Sequence, residues 1–589
     1  MILQRPANIL HQSILDTYFS GVVHPISTPD APVHQFRGIK YASVPARFRQ
    51  STLFTAYPPV TDATKHGPIC PQARHTGAEE DLFGLHESQI PEQTFGQDEF
   101  ECLNLNITCP GELTPKSRLP VMFWIHGGGN CGTGSSWVYD GGRLVRKSIW
   151  LGKPIVVVSI NYRLGIFGSA AGPILREDNK LAGDHGVGNY GLRDQRTALE
   201  WVHHFIGDFG GDPGNITLFG QGSGAADILH HLHSTVNDTR PLFQRAIVQS
   251  ALVEYNVPDV TTAGWHLSRI MSQLQVSTLA QLRAVDPENL VIDGYNLRAT
   301  DDGVFFRDGW KASISRAETY HGCVDTQPRH SYAPFHKIKS GSPPPQSVAR
   351  APVPFDYAPS QRLMIGDCSY DASLWFLPAS LWTPSSVVRR LKAVCASLSR
   401  ATALLRAYDI SAYTPPEELV ENVLALINDA RIAWPTQAVV EGAHRERVGV
   451  WRYAFDQEGP ARGIPHHATD LIYLFDNMPM PIPTSQPFET DSFDEIDEWT
   501  MPIVDDYSYE RVRDVIQERW IAFAHGEAPW NENKVFIFGP EGEVGERSTC
   551  IFEGRRRTQI WKEALEPLGM QLVQKIGTEL SNGPPCNAS

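Results

Sequence analysis

Ile216-Thr217-Leu218-Phe219-Gly220-Gln221-Gly222-Ser223-Gly224-Ala225-Ala226-Asp227-Ile228-Leu229-His230-His231-Leu232-His233 changes character in its middle. The apolar run 216–219 reads as a short buried strand, and 224–233 reads as a helix. From the strand's end to the helix's first residue, glycines stand in alternate positions, 220, 222 and 224. Glycine reaches backbone conformations closed to other residues, so a strand can turn into a helix within a few residues here. A strand that feeds a helix through a glycine turn is the building step of an α/β protein.

The flanking sequence repeats that step. Residues 121–125 read as a buried strand ending in Gly127-Gly128-Gly129, and 155–160 as another. Residues 194–205 carry Leu199, Trp201, Val202 and Phe205 at helical spacing, and 246–250 read as the next strand. Short apolar strands separated by helices predict a mostly parallel sheet covered on both faces. The second half is less regular. It holds a Pro/Ser-rich stretch at 340–354 and another insertion at 478–498, Pro-rich and then acidic. Both read as surface loops, with a gate over a site as the alternative. No internal repeat is present, and 1–589 reads as a single domain.

The chain has 589 residues with 51 basic and 66 acidic side chains, a formal charge of −15. That balance argues against nucleic acid or an anionic membrane as partner. Apolar runs such as 155–160 fall far short of the ~18 residues of a membrane helix. The N-terminus shows no continuous apolar signal segment, so a cytoplasmic location is expected, with secretion open if the N-terminus was processed. The nine cysteines form no CxxC pair, so no structural metal is expected, nor any cofactor.

The longer motifs carry a resemblance. Phe36-Arg37-Gly38-Ile39-Lys40-Tyr41-Ala42, Cys102-Leu103-Asn104-Leu105-Asn106, and Val121 through Gly129 are three of them. Asn161-Tyr162-Arg163-Leu164-Gly165, Gly188 through Gln195, and Phe209-Gly210-Gly211-Asp212-Pro213 on to Gly220 are the others. Together they resemble the type-B carboxylesterase/cholinesterase family. The resemblance implies an α/β-hydrolase fold and, in typical members, ester hydrolysis by a serine, an acid and a histidine. It places Gly222 where the family has its nucleophile in G-x-S-x-G, and Ser223 one position later. It also places Gln221 where a glutamate is common, which removes a charge that would favour a cationic substrate.

The same resemblance assigns the acid to Asp371, in Gly366-Asp367-Cys368-Ser369-Tyr370-Asp371. The histidine lies in Gly463-Ile464-Pro465-His466-His467-Ala468-Thr469-Asp470. His467 keeps the step to Asp470 and is preferred, while His466 keeps the distance from Gly463 and stays open. The oxyanion hole would be made by the N–H groups of Gly128, Gly129 and Ser223, with the Ser223 side chain pointing away from the site. Cys70 and Cys102 match the family's first disulfide.

A site without its serine hydroxyl cannot form an acyl-enzyme at residue 222. A His–Asp base and an oxyanion hole still suit enolisation, elimination, cyclisation or carbonyl addition. The first reading is therefore a non-hydrolytic lyase, cyclase, isomerase or C–C coupling catalyst on a carbonyl-bearing natural product. The alternatives are an ester hydrolase using water or Ser223, an active esterase inactivated by a Ser-to-Gly change, and a non-catalytic binding protein. The substrate class is a small carbonyl compound or ester. The sequence is silent on oligomeric state.

Overall fold

A computed structural model describes residues 8–73, 78–114, 116–129, 131–291, 297–314, 361–446, 448–479 and 504–585. The insertion at 340–354 lies outside the described residues, as does nearly all of 478–498.

One large sheet organises the chain. Its strands are β1 (Asn8–Gln12), β2 (Thr17–Val23), β3 (Val33–Lys40), β4 (Asn104–Pro110), β5 (Leu119–Ile125) and β6 (Val156–Ile160). They continue with β7 (Gly211–Gln221), β8 (Arg245–Gln249), β9 (Arg362–Cys368), β10 (Val450–Phe455), β11 (Val535–Phe538) and β12 (Val544–Arg547). The order across the sheet is β1-β2-β3-β4-β6-β5-β7-β8-β9-β10-β11-β12, with Val60–Asp62 beside β2. Neighbours from β6 through β11 are parallel, and the outer pairs are antiparallel. The expected mostly parallel α/β-hydrolase sheet is therefore present, with β7 near its middle.

The strand sequences explain why both faces are covered. In β5, Phe123 and Ile125 join a core cluster that includes Leu199 and Val202 of helix α1 (Tyr190–Phe205). Met122 and Trp124 point the other way, into a cluster with Trp520 and Phe523 of helix Asp506–Ala524. The period-two alternation of an extended chain makes this division, and both sets must be apolar because neither face meets water. A third cluster joins helices Pro384–Cys395, Leu398–Ala407, Pro416–Asn428 and Met570–Ser581 into a helical layer. Among the described residues, no helix is long and apolar enough to cross a membrane.

Candidate active site

Strand β7 runs to Gln221, whose backbone is extended at φ −128° and ψ 151°. Helix α2 (Gly222–Leu232) begins at the next residue. The junction is Gly222 itself, at φ +58°, in the left-handed region that costs most side chains about 1–3 kcal/mol. The flanking glycines are fixed by packing. A Cβ on Gly220 would lie 2.7 Å from the Ile125 carbonyl oxygen. A Cβ on Gly224 would lie 2.6 Å from the His126 oxygen and closer still to that of Ile125. The turn is thus pressed against the carboxyl end of β5, where an open α/β sheet presents its ligand crevice.

The glycine loop after β5 faces the same turn. Gly128 and Gly129 take φ +84° and +65°. The Gly129 N–H donates to Ser223 Oγ at 3.1 Å. This corrects the expectation that the Ser223 side chain points away. Ser223 opens the first turn of α2, and its hydroxyl reaches across to a backbone donor of the glycine loop. The side chain is only 4% exposed, so that bond also satisfies a buried hydroxyl.

Across the site, Asp371 follows β9 and His467 lies on the loop before helix Thr469–Phe475. Tyr370 N–H donates to the Pro465 carbonyl at 3.1 Å, which pairs the two loops side by side. Cys368 N–H donates to Asp371 Oδ2 at 3.0 Å, and His467 Nδ1 meets Asp371 Oδ1 at 2.7 Å. Burial pushes the Asp371 carboxyl up, while the bonds from His467 and Ser250 pull it back down. His466 takes no part in this contact. Its Nδ1 faces the His467 carbonyl at 2.7 Å, and burial lowers its ring to about 4.

The far nitrogen of His467 meets a side chain that the sequence did not suggest. Gln221 Nε2 lies 2.7 Å from His467 Nε2. An amide nitrogen only donates, so His467 Nε2 is the acceptor and the ring proton sits on Nδ1, facing Asp371. Asp470, useful in the sequence only as a spacing landmark, is a second buried carboxyl beside this pair. Gln249 Nε2 donates to it at 2.8 Å and Tyr453 Oη at 3.3 Å. Burial, aided by the nearby Asp371, raises it to about 6. Sequence spacing could not show either contact, because the partners come from different strands.

Behind Ser223 lies a small polar cavity of about 40 Å³, lined in part by Tyr162, Leu164, Asp227 and Arg298. Arg298 Nε pairs with Glu254 at 2.8 Å, and Gln195 Nε2 donates to Asp227 at 2.7 Å. Cys70 and Cys102 are both buried and interact with each other, present in this structure as thiols. Each also has a backbone partner, Leu164 N–H to Cys70 Sγ at 3.2 Å and Cys102 Sγ to the Glu99 carbonyl at 3.6 Å.

Once substrate displaces the Gln221 amide and the Ser223 hydroxyl, these groups can take a proton at His467 and donate a hydrogen bond to a carbonyl oxygen from the glycine loop. General-base catalysis contributes about 10²–10⁴, and an oxyanion donor about 10²–10³. Gly222 offers no atom for covalent catalysis.

The family model described as "Carboxylesterase family" matches residues 17–277. Lipase 3 of Yarrowia lipolytica is 28% identical over 467 residues, covering 76% of this chain and 80% of that protein. The para-nitrobenzyl esterase of Bacillus subtilis is 27% identical over 511 residues, covering 86% and 88%. Among solved structures, a carboxylesterase of Geobacillus stearothermophilus superposes with a TM-score of 0.66 at 22% identity, over 94% of this chain and 99% of that one. At that identity the superposition speaks for the fold alone.

Proposed function

On the premise that the chain belongs to the carboxylesterase family, we propose that it acts on a small carbonyl compound or ester by acid–base catalysis, without an acyl-enzyme at residue 222. His467, held by Asp371, takes a proton from a C–H or O–H group next to the carbonyl. The Gly129 N–H steadies the carbonyl oxygen once the Ser223 hydroxyl yields its place. The outcome is a non-hydrolytic reaction: enolisation, elimination, cyclisation or carbon–carbon addition on a natural product. The observation that carries this reading is that His467 Nε2 meets the Gln221 amide above a glycine. A serine hydrolase needs a hydroxyl at that nitrogen.

A second reading is ester hydrolysis through Ser223. It is supported by the hydroxyl at Gly129 N–H and by the ester-cleaving names of the relatives. A panel of carbonyl-bearing natural products and an activated aryl ester separates the two. The non-hydrolytic reading expects isomerised, cyclised or eliminated product, lost in His467→Ala, and no stoichiometric burst from the ester. A burst that vanishes in Ser223→Ala would replace it with the hydrolytic one.

A further inference from the structure

Gln221 is fully buried, and its amide is used on one side only. Nε2 donates to His467, while Oε1 has no hydrogen-bond partner among the described residues. An orphaned buried carbonyl oxygen is costly. Rotating the amide by half a turn exchanges its two ends. Oε1 would then face His467 Nε2 as an acceptor, which suits a ring that has gained a proton there.

We infer that Gln221 is a positioning residue that follows the proton on His467, its amide donating to the neutral ring and, after a half-turn, accepting from the protonated one. The exchange balances at each step. For His467 Nε2 to take a proton from substrate, the amide N–H must first leave the one lone pair there; after the transfer Oε1 accepts a hydrogen bond from the new N–H, and Asp371 keeps the bond to Nδ1. A carboxylate in the same place could serve only the protonated ring, because it has no hydrogen to donate. Gln221 can therefore hydrogen-bond the ring in either state, as donor to neutral Nε2 before substrate takes its place and as acceptor from the Nε2–H afterwards. This deepens the reading of His467–Asp371 as the base, and rests on it.

The charged and titratable groups around the ring come from each packed element. Asp371 comes from the turn after β9, and Asp470 from helix Thr469–Phe475. His466 precedes the ring on its own loop and is itself neutral near pH 7. Cys368, at the end of β9, is a buried thiol pushed well up by burial and by the two carboxyls. From β7, Gln221 presents an uncharged amide.

The test reads the ring directly in the full-length protein, by NMR of labelled histidines assigned with His467→Ala. In the unaltered protein the neutral ring should carry its proton on Nδ1, with Nε2 bare. Gln221→Glu places a second carboxylate on the ring and should raise its titration midpoint by one pH unit or more. The low-pH limb of the pH–rate profile should move with it. Gln221→Met, similar in shape but without donor or acceptor, should leave the midpoint well below that of Gln221→Glu. Equal midpoints for the Gln and Glu proteins, a reversed order, or a neutral ring protonated on Nε2 would overturn the inference. The last observation needs no variant. Retention of turnover in His467→Ala would instead defeat the base reading, while leaving the titration result to stand or fall separately.

Discussion

On the β9–β10 side of the site, two loops are clamped by the Tyr370–Pro465 bond, and Asp371 receives both Cys368 N–H and His467 Nδ1. On the β5–β7 side, the backbone is equally determined, with the glycines at 220 and 224 pressed on β5 and Gly222 at φ +58°. There, however, the side chains that fill the space are Ser223 on the glycine loop and Gln221 on the histidine. The first half is equipped for proton transfer. The second turns sharply from strand to helix at Gly222, which carries no side chain. Backbone geometry and the side chains presented on it are thus separate properties of this site.

The sharpest way to break this comparison is to remove the base. His467→Ala should lower turnover by about 10²–10⁴ with the melting temperature little changed. A drop below tenfold would mean that the β9–β10 half does no chemistry. Gly224→Ala probes the other half through packing. Its Cβ would meet the backbone oxygens of Ile125 and His126, so a loss of about 3 kcal/mol or more is expected in denaturant melts. An unchanged midpoint would show that the turn is not held against β5.

A third comparison concerns Asp470. Its folded value of about 6 lies above the ordinary 3.8, so the native state holds this proton more tightly than the unfolded chain. The group stabilises the fold below about pH 4, and that contribution is lost as pH rises to about 6 and beyond. Asp470→Asn keeps an acceptor for Gln249 and Tyr453 and cannot ionise. The stability of the unaltered protein relative to this variant should therefore fall by about 2 kcal/mol between pH 4 and pH 7. Parallel stability–pH curves would show that the carboxyl ionises as freely as in water.

The glycines at 220, 222 and 224 made the turn legible because they report backbone constraint, which is local. Strands β5 through β8 were legible for the same reason, as short apolar runs. The choice between His466 and His467 was not, since Gly463-Ile464-Pro465-His466-His467 satisfies both spacings. In the structure it is His467 that meets Asp371, nearly a hundred residues away. The Gln221–His467 bond joins residues 246 apart, beyond any local signal. The helical layer leaves local signals of its own. Thr383 caps a helix with Pro384 in its first turn, and Ser397 caps the next.

The most direct test of the central claim is stoichiometric labelling with a serine-directed organophosphate, followed by mass mapping, on the unaltered chain, Gly222→Ser and Ser223→Ala. No adduct is expected on the unaltered chain. An adduct is expected at position 222 once a hydroxyl is placed there, at a stability cost of about 1–3 kcal/mol for the positive φ. One equivalent bound to Ser223 in the unaltered protein, and lost in Ser223→Ala, would contradict it and make this chain a covalent ester hydrolase after all.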